Sequence, residues 1–212
     1  MDYEKIVDYL SVLNSNNKED RIFYDDILDF KNVHFIPAVR FDVAIFLNLI
    51  SNIAKPKKIL EIGFGSGVSS VFIGKDLKNI ERFVSLEKDE NRYNRGLELF
   101  ENFNIDYIDL QFKNSFDFFE DNNEKFDYIF LDAEKTKYDV YIPLIKDALN
   151  KGGVLIGDNI IFSGRVVEGN PEKKYVKGVS SIKKYNLELS SDGDFKTLFL
   201  NIGDGISLSL KK

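Results

Sequence analysis

The stretch that most constrains the fold is Ile59–Gly67, in which an apolar run is followed directly by three glycines. The glycines stand at alternate positions, Gly63, Gly65 and Gly67, and a helix-like segment, Val68–Leu77, comes next. This order is typical of a buried strand, a tight turn and a helix N-terminus. Glycine suits a turn in which a side chain would block a positive φ or the close approach of a ligand. Because a helix N-terminus also presents free N–H groups, the pattern favours a loop that cradles a nucleotide-like ligand over an ordinary connecting turn.

Beyond this turn, predicted strands and helices alternate along the chain. The predicted strands are Lys58–Ile62, Arg82–Leu86, Ile105–Phe112, Phe126–Leu131 and one that contains Val154–Ile156, after Lys151-Gly152-Gly153. The predicted helices are Val68–Leu77, Glu90–Phe103, Ser115–Phe119 and Tyr138–Leu149. Such alternation predicts an α/β fold with a parallel sheet, in which ligands bind at the carboxyl ends of the strands.

Both ends of the chain depart from this alternation. At the C-terminus, Phe195–Ile202 and Ile206–Leu210 are predicted strands separated by Gly203-Asp204-Gly205, which predicts an antiparallel hairpin. At the N-terminus, apolar residues at helical spacing predict helices over residues 2–14, Ile22–Phe30 and Phe41–Ile53.

Pro56 ends the third of these helices and marks the start of the strand region. We therefore expect a single domain in which residues 1–55 form a helical cap on a core of residues 56–212. The connector Val33–Pro37 carries the only histidine, His34, which we expect to be structural or exposed rather than catalytic.

The bulk properties exclude several classes of protein. The chain has 212 residues, enough for one domain with a substantial core. It has no cysteine, which excludes disulfides and thiolate metal sites and is compatible with a reducing cytoplasm. No stretch reaches the roughly 18 apolar residues of a membrane span, and the acidic N-terminus is unlike a signal peptide, so we expect a cytoplasmic protein. With a net charge of −6, any contact with nucleic acid has to be local.

Acidic and amide residues stand at the ends of three predicted strands. Glu87 follows the second strand, twenty residues after Gly67, where a carboxylate accepts hydrogen bonds from ribose hydroxyls. Asp132 follows the fourth strand, and Asp158-Asn159 follow the fifth. Carboxylates at buried strand ends need a partner, because unpaired buried charge is costly. Two carboxylates and an amide oxygen suit a hard cation such as Mg²⁺. The alternative is that these residues cap neighbouring helices or loops.

Lys135 lies three residues past Asp132. From there an ammonium could reach an acceptor oxygen at the metal site and stabilise an alkoxide or, with a lowered pKa, accept its proton. The alternative is a surface lysine in a charged loop.

Two stretches resemble a known family. Glu61–Gly67 resembles the first motif of class I S-adenosylmethionine-dependent methyltransferases, and Phe126–Val167 resembles the metal-dependent O-methyltransferases. The residues that carry the second resemblance are Asp132, Lys135, Tyr138, Tyr141, Gly152-Gly153, Asp158-Asn159 and Gly164, with Ile202-Gly203-Asp204-Gly205 in the terminal hairpin. This group includes caffeoyl-CoA and catechol O-methyltransferases and bacterial tRNA 5-hydroxyuridine O-methyltransferases. The resemblance covers nearly the whole chain from about Pro37 onward.

The resemblance implies a Rossmann-like, doubly wound sheet of seven strands whose last strand is antiparallel, together with N-terminal helices that contribute to a homodimer. It implies that S-adenosylmethionine is bound by Glu61, Gly63, Gly65, Ser69, Glu87, Asn114, Ser115, Asp132 and Ala133. Within this set, Glu87 holds the ribose. Asn114-Ser115 stand where the family often has Asp-Ala at the adenine.

The resemblance further implies that Asp132, Asp158 and Asn159 bind Mg²⁺ or another divalent cation, and that Lys135 and Asp132 are catalytic. We hypothesise that the metal holds two adjacent acceptor oxygens and lowers the pKa of one of them, which then attacks the sulfonium methyl.

The acceptor is a hydroxyl-bearing molecule whose class the residues leave open. Ile160–Tyr185 follows the implied metal ligands and carries six Lys or Arg against two Glu, a local charge of +4. Such a surface could meet the phosphates of tRNA or of coenzyme A, or it could be a solvated helix face. Within the family, 5-hydroxyuridine in tRNA is one expected acceptor and a small catechol-like molecule is the other.

Two other classes are weaker alternatives. A nicotinamide-dependent oxidoreductase would want a third glycine where Val68 stands, and it would leave the terminal hairpin unexplained. A non-catalytic cofactor-binding protein would have no use for the implied metal ligands.

Overall fold

The structure is a computed structural model that describes residues 3–30 and 36–212. Its helices are α1 Tyr3–Asn14, α2 Lys18–Asp29, α3 Phe41–Ala54, α4 Val68–Gly74, α5 Glu90–Phe103, α6 Ser115–Asp121, α7 Tyr138–Ala148 and α8 Val176–Ser191. Its strands are β1 Lys58–Ile62, β2 Arg82–Glu87, β3 Asp109–Phe112, β4 Phe126–Leu131, β5 Leu149–Asp158, β6 Phe195–Leu200 and β7 Ile206–Lys211. A 3₁₀ turn, Lys135–Lys137, precedes α7.

The seven strands form one sheet in the order β3-β2-β1-β4-β5-β7-β6. The strands from β3 to β5 in this order are parallel, and β7 is antiparallel to both of its neighbours. The expected Rossmann-like sheet with an antiparallel last strand is therefore confirmed. Because the chain leaves β1 for β2 on one side and returns to β4 on the other, the strand order reverses between β1 and β4, and such a reversal opens a crevice at the carboxyl ends of the strands.

Helices cover both faces of the sheet. Side chains of α2, α3, α4 and α5 pack on one face, and those of α6, α7 and α8 pack on the other. Successive residues of β1 show this division, since Ile59 belongs to the first core cluster and Leu60 to the second. Strands buried on both faces are continuous apolar runs, which is why β1 and β4 were predicted residue for residue.

Several predicted elements have different boundaries in the structure, and three of them differ by three or more residues at one end. Helix α2 begins at Lys18 rather than Ile22, because its first turn is polar and exposed and carries acidic residues that suit a helix N-terminus. Helix α4 ends at Gly74, where a Cβ would overlap the ring of Tyr107. Strand β3 begins at Asp109 rather than Ile105, because the N–H of Ile105 closes the end of α5 on the carbonyl of Phe100.

The start of β5 was also predicted wrongly. Lys151-Gly152-Gly153 was expected to precede the strand, but the strand begins at Leu149, and α7 correspondingly ends at Ala148. The pairing of β5 with β4 shifts register at this point, and Gly152 has a φ of +79°. The glycines thus lie within the strand at a bulge.

Helix α8 was not predicted as an element, although its sequence carries the signal. Val179, Ile182, Tyr185 and Leu189 recur at helical spacing and are all buried. The region was interpreted by its charge, because Lys177, Lys183 and Lys184 are interspersed with these apolar residues and are exposed.

The structure describes part of the N-terminal helical cap and allows the expectation about membrane spans to be checked over the described residues. His34 and most of the connector Val33–Pro37 lie outside the described residues. Within the described ranges, no helix combines the length and the apolar character needed to cross a membrane. The described side chains of α1, residues 5–14, are all exposed.

Candidate active site

A cleft of about 650 Å³ opens at the carboxyl edge of the sheet, by the ends of β1, β2, β4 and β5. Ten of the twelve predicted site residues line it: Gly63, Gly65, Glu87, Asn114, Ser115, Asp132, Ala133, Lys135, Asp158 and Asn159. The other two, Glu61 and Ser69, do not. The topology thus brings together residues that are up to 96 positions apart in the chain, from Gly63 to Asn159.

The glycine turn forms the floor of the cleft. Gly63 has a φ of +102°, and a Cβ there would overlap the backbone carbonyl of Asp132. Gly67, the N-cap of α4, has a φ of +86°, and a Cβ would lie 2.7 Å from the ring of Phe64. Glycine is therefore required both by the backbone conformation and by the close approach of β4.

Glu87 connects the end of β2 to this turn. Its carboxylate accepts hydrogen bonds from the N–H groups of Gly65 at 3.1 Å, Lys88 at 2.9 Å and Asp89 at 2.9 Å. The side chain is only 5% exposed, and it lines the cleft. These bonds hold the carboxylate at the position where a ribose is expected.

The far end of the cleft is formed by the N-terminus of α6 and one face of α7. The side-chain oxygen of Asn114 caps α6 on the N–H of Phe116 at 2.9 Å, which leaves the amide NH₂ available to a ligand. The Ser115 hydroxyl lies 2.6 Å from the Tyr141 hydroxyl, and the Phe116 and Tyr141 rings stack at 17° with centroids 5.0 Å apart.

Sequence reasoning missed several residues of the cleft wall, including Phe116, Arg92 and Pro37-Ala38. Phe116 directly follows Asn114-Ser115, so its adjacency was a usable signal. Pro37 and Ala38 precede α3 and line the cleft, but no local sequence pattern predicts that they lie next to the ends of distant strands.

One end of the cleft, called the acidic end below, is lined by Asp132, Lys135, Asp158 and Asn159. The Lys135 ammonium donates to Asp132 at 2.5 Å and to the Tyr138 hydroxyl at 2.9 Å. Asp158 is 2% exposed and accepts at Oδ1 from the N–H of Asn159 at 2.7 Å. Burial, and then the neighbouring charge of Asp132, raise the pKa of Asp158, while Lys135 opposes the rise.

The residues at this end fit a divalent cation. A buried carboxylate whose pKa is raised by a second carboxylate is stabilised in its charged form by a cation between them. Within residues 3–30 and 36–212, no group of three His, Cys, Asp or Glu side chains is placed to hold a metal. The candidate donors that line this end are the carboxylates of Asp132 and Asp158 and the side-chain amide of Asn159.

The loop after β5 is held in an unusual conformation beside these residues. Asn159, Phe162 and Ser163 have φ values of +56°, +53° and +53°. The N–H of Ser163 donates to both carboxylate oxygens of Asp204, in the turn of the terminal hairpin, at 2.7 and 2.8 Å. Strained loops of this kind persist where the surroundings hold them, and they concentrate at functional sites.

Glu61 and Ser69 are placed differently from the resemblance-based expectation. Because side chains alternate along a strand, Glu61 points to the same face of the sheet as Ile59, the face covered by α2 to α5, and it is fully buried. Its carboxylate accepts hydrogen bonds from the hydroxyls of Ser70 and Ser85. Burial raises the pKa of Glu61 to about 7 against the opposing effect of serine hydroxyls. Glu61 thus joins α4 to β2 through these two serine hydroxyls, next to the glycine turn.

A family model described as O-methyltransferase matches residues 28–212. The chain belongs to the O-methyltransferase family. It is an S-adenosylmethionine-dependent O-methyltransferase, which excludes the oxidoreductase and the non-catalytic alternatives.

Curated relatives of this O-methyltransferase carry caffeoyl-CoA names. A Dictyostelium discoideum protein named "Probable caffeoyl-CoA O-methyltransferase 3" is 28% identical over 185 residues, covering 79% of this chain and 73% of the relative. Caffeoyl-CoA O-methyltransferase 1 of Arabidopsis thaliana is 27% identical over 173 residues, covering 77% and 67%.

Solved structures share its fold. The O-methyltransferase of Bacillus cereus in complex with SAH superposes with a TM-score of 0.79 at 23% identity, covering 89% of this chain and 90% of that one. The SAH-bound methyltransferase of Podospora anserina superposes with a TM-score of 0.80 at 21% identity, covering 99% and 96%.

Proposed function

We propose that this O-methyltransferase methylates a hydroxyl of a metal-chelating acceptor with the help of Mg²⁺ or a similar cation, and that the acceptor is 5-hydroxyuridine in tRNA. The observation that carries the proposal is the group of Asp132, Asp158 and Lys135 at the acidic end of the cleft. It faces the same cleft as the glycine turn and Glu87, so the acceptor and the cofactor are bound side by side.

The cofactor is held along the floor and the far end of the cleft. Gly63 and Gly65 provide the close approach for the methionine part, and Glu87 accepts from the ribose hydroxyls. The free amide of Asn114 and the Phe116–Tyr141 stack suit the edge and the face of the adenine. When bound, S-adenosylmethionine supplies the methyl group as a sulfonium.

The acceptor is held at the acidic end. Asp132, Asp158 and Asn159 are the residues that hold a divalent cation, which when bound acts as a Lewis acid on the acceptor hydroxyl. The Lys135 ammonium stabilises the charge left on the acceptor oxygen when the hydroxyl proton departs. Lys135 Nζ can take up that proton itself only after the ammonium has lost one of its own protons to solvent. Asp158 is 2% exposed, so its carboxylate is largely shielded from bulk water, while the Asp132 side chain is 32% exposed to the cleft.

Metal dependence is tested by turnover of the wild-type enzyme in EDTA, followed by addition of Mg²⁺ or Mn²⁺. We expect turnover to fall to background and to return with the added cation. Full turnover in EDTA would remove the metal from the proposal while leaving the methyltransferase assignment intact.

The surface next to Lys135 supports a nucleic-acid acceptor. A Cβ on Gly178 would lie 3.7 Å from the Lys135 Cβ, so this turn of α8 borders the acidic end. The Arg165 guanidinium lies 4.1 Å from the ring centroid of Tyr175, an arrangement that suits stacking on bases. Nearby, Lys173 and Lys177 are exposed and form no ion pair with any described residue.

The tRNA acceptor is tested with a charge-reversal triple variant, Lys173→Glu, Lys174→Glu and Lys177→Glu. We expect methylation of hydroxyuridine-containing tRNA to fall at least tenfold and to lose part of its salt dependence. The matched control reverses Lys55, Lys151 and Lys196, which line a second cleft at the opposite edge of the sheet. Equal loss in both variants would show that net charge, and not this surface, matters.

A small catechol-like acceptor is the second candidate, favoured by the caffeoyl-CoA names of the curated relatives. Methyl transfer from labelled cofactor to bulk tRNA, caffeoyl-CoA and catechol decides between the two. Turnover of catechol or caffeoyl-CoA that the charge-reversal variant at Lys173, Lys174 and Lys177 leaves unchanged would favour the small acceptor.

The proposal includes a homodimer in the cytoplasm. On α1, Leu10, Val12 and Leu13 are 50%, 64% and 45% exposed, and exposed apolar side chains of this number suit an interface. Sedimentation of the wild type and of a Leu10→Glu, Leu13→Glu variant tests the dimer, which we expect the variant to lose. Cell fractionation tests the location.

A further inference from the structure

We propose that the Tyr138 hydroxyl is a positioning group that fixes the ends of β4 and β5 and the Lys135 ammonium relative to one another. The inference rests on the proposed function, since it concerns the residues that hold the cation and the proton. Tyr138 is one of the residues that carry the family resemblance, but the proposed function assigns no role to its hydroxyl.

The hydroxyl of Tyr138 has three neighbours. It accepts a hydrogen bond from the Lys135 Nζ at 2.9 Å. It lies 2.8 Å from the carbonyl oxygen of Asp158 and 3.1 Å from that of Leu131. A phenol has one proton to donate, so that proton goes to one of the two carbonyls, with the shorter distance favouring Asp158.

The three neighbours of the Tyr138 hydroxyl belong to the residues that position the side chains of the acidic end. Leu131 is the last residue of β4 and directly precedes Asp132, while Asp158 is the last residue of β5. One buried oxygen therefore lies against the backbone beneath both carboxylates, donates to one of its two carbonyls and accepts from the ammonium that contacts Asp132. Hydrogen bonds to the groups behind metal ligands set the orientation of those ligands, and their loss typically lowers metal affinity by roughly 10–100-fold.

The ring of Tyr138 has a separate, structural role. It is fully buried and packs edge-on against the ring of Tyr185, with centroids 5.2 Å apart. A Tyr138→Phe variant keeps this packing and removes only the oxygen. Loss of function in this variant would then report on the hydroxyl.

Tyr185 provides a matched control. It is also fully buried, shares the same ring contact, and its hydroxyl lies 3.0 Å from Ser207 Oγ rather than from any of the proposed metal ligands. Tyr185→Phe thus removes a buried phenol oxygen of the same kind without touching the acidic end.

The first measurement is Mn²⁺ binding to the protein without cofactor, followed by electron paramagnetic resonance. We expect Tyr138→Phe to weaken binding roughly tenfold and Tyr185→Phe to leave it within about twofold of the wild type. The dissociation constant of S-adenosylmethionine, measured by calorimetry, should be the same in all three proteins. Equal Mn²⁺ affinities in the two variants would overturn the positioning role.

The second measurement does not depend on a metal. Acetylation of Lys135 by acetic anhydride, followed by mass spectrometry of its peptide, reports how firmly the ammonium is held. We expect at least a threefold faster reaction in Tyr138→Phe and no change in Tyr185→Phe. If the wild type binds no Mn²⁺, the metal part of the proposed function fails, and this measurement alone decides the inference. Unchanged Lys135 reactivity in Tyr138→Phe would then refute it.

Discussion

Two of the regions in which the molecule buries a carboxylate differ in their access to the cleft. Beneath the glycine turn, Glu61 is fully buried and its bonds run to serine hydroxyls. At the strand ends, Asp158 is almost as buried, but it lines the cleft together with the Asp132–Lys135 pair. Burial raises the pKa of both Glu61 and Asp158. A raised pKa alone therefore does not identify a reactive carboxylate, and access to the cleft separates the two.

The difference follows from position along the strand. Glu61 is the penultimate residue of β1, and its carboxylate is buried against Ser70 of α4 and Ser85 of β2. Asp132 directly follows β4 and Asp158 is the last residue of β5, and both line the cleft. The following experiments test whether the first region is structural and the second chemical.

The largest expected effect comes from Asp158→Asn. Removal of one proposed metal ligand should lower methyl transfer by roughly 10²–10³-fold, while the affinity for S-adenosylmethionine changes little. The variant should also be at least as stable as the wild type at pH 8, because a buried charge is removed next to Asp132. Steady-state kinetics and urea unfolding measure the two quantities. Wild-type turnover in the variant would place the chemistry elsewhere.

Gly63→Ala tests the contact that joins the two regions. A Cβ there would overlap the Asp132 carbonyl in a backbone with a φ of +102°, so we expect a loss of roughly 3–4 kcal/mol of stability. Gly193→Ala is the control, because a Cβ at Gly193 meets nothing within 4 Å. Equal urea midpoints for the two variants would contradict the close approach of β4.

Glu61→Gln tests the closed region through pH. Because the pKa of Glu61 is raised from 4.5 to about 7 by burial, the folded protein holds a proton in this range that the unfolded chain has lost. The resulting stabilisation is complete below about pH 4.5 and is lost as the pH rises through about 7. The variant lacks this term, so its stability relative to wild type should rise on the order of 3 kcal/mol between pH 4.5 and pH 8.

Urea unfolding of both proteins at the two pH values measures this difference. The exposed Glu101→Gln is the control and should show no comparable change. A pH-independent difference between Glu61→Gln and wild type would show that Glu61 is charged throughout, and that the two regions are less alike than described.

Ser85→Ala should have the smallest effect. It removes one donor to the Glu61 carboxylate, which costs about 1 kcal/mol at pH 8, where the carboxylate is charged, and less at pH 5. Methyl transfer should be unchanged apart from this loss of stability. A large fall in activity at a temperature where the variant is fully folded would bring the lower region into the chemistry.

Much of the architecture was predictable because its signals are local. The apolar runs of β1 and β4 and the periodicity of α5 have the predicted boundaries. Glu87, Asp132, Asp158 and Asn159 line one cleft because parallel strands end at the same edge of the sheet, whereas residues such as Asn114 and Ala133 were expected there from the family resemblance. The start of β3 was predicted wrongly because Ile105 closes the end of α5 instead of joining the strand. The start of β5 was predicted wrongly because Gly152-Gly153 lie within the strand instead of in a turn.

The sequence by itself determined the alternating fold, the glycine turn and the acidic residues at the strand ends, since each depends on residue type and short spacing. Only the tertiary structure decided that Glu61 faces away from the cleft, that Phe116 and Tyr141 stack at its far end, and that Tyr138 bridges β4, β5 and Lys135. The physical reason is that side-chain direction, burial and hydrogen-bond partners are set by residues distant in the chain, which no local pattern contains.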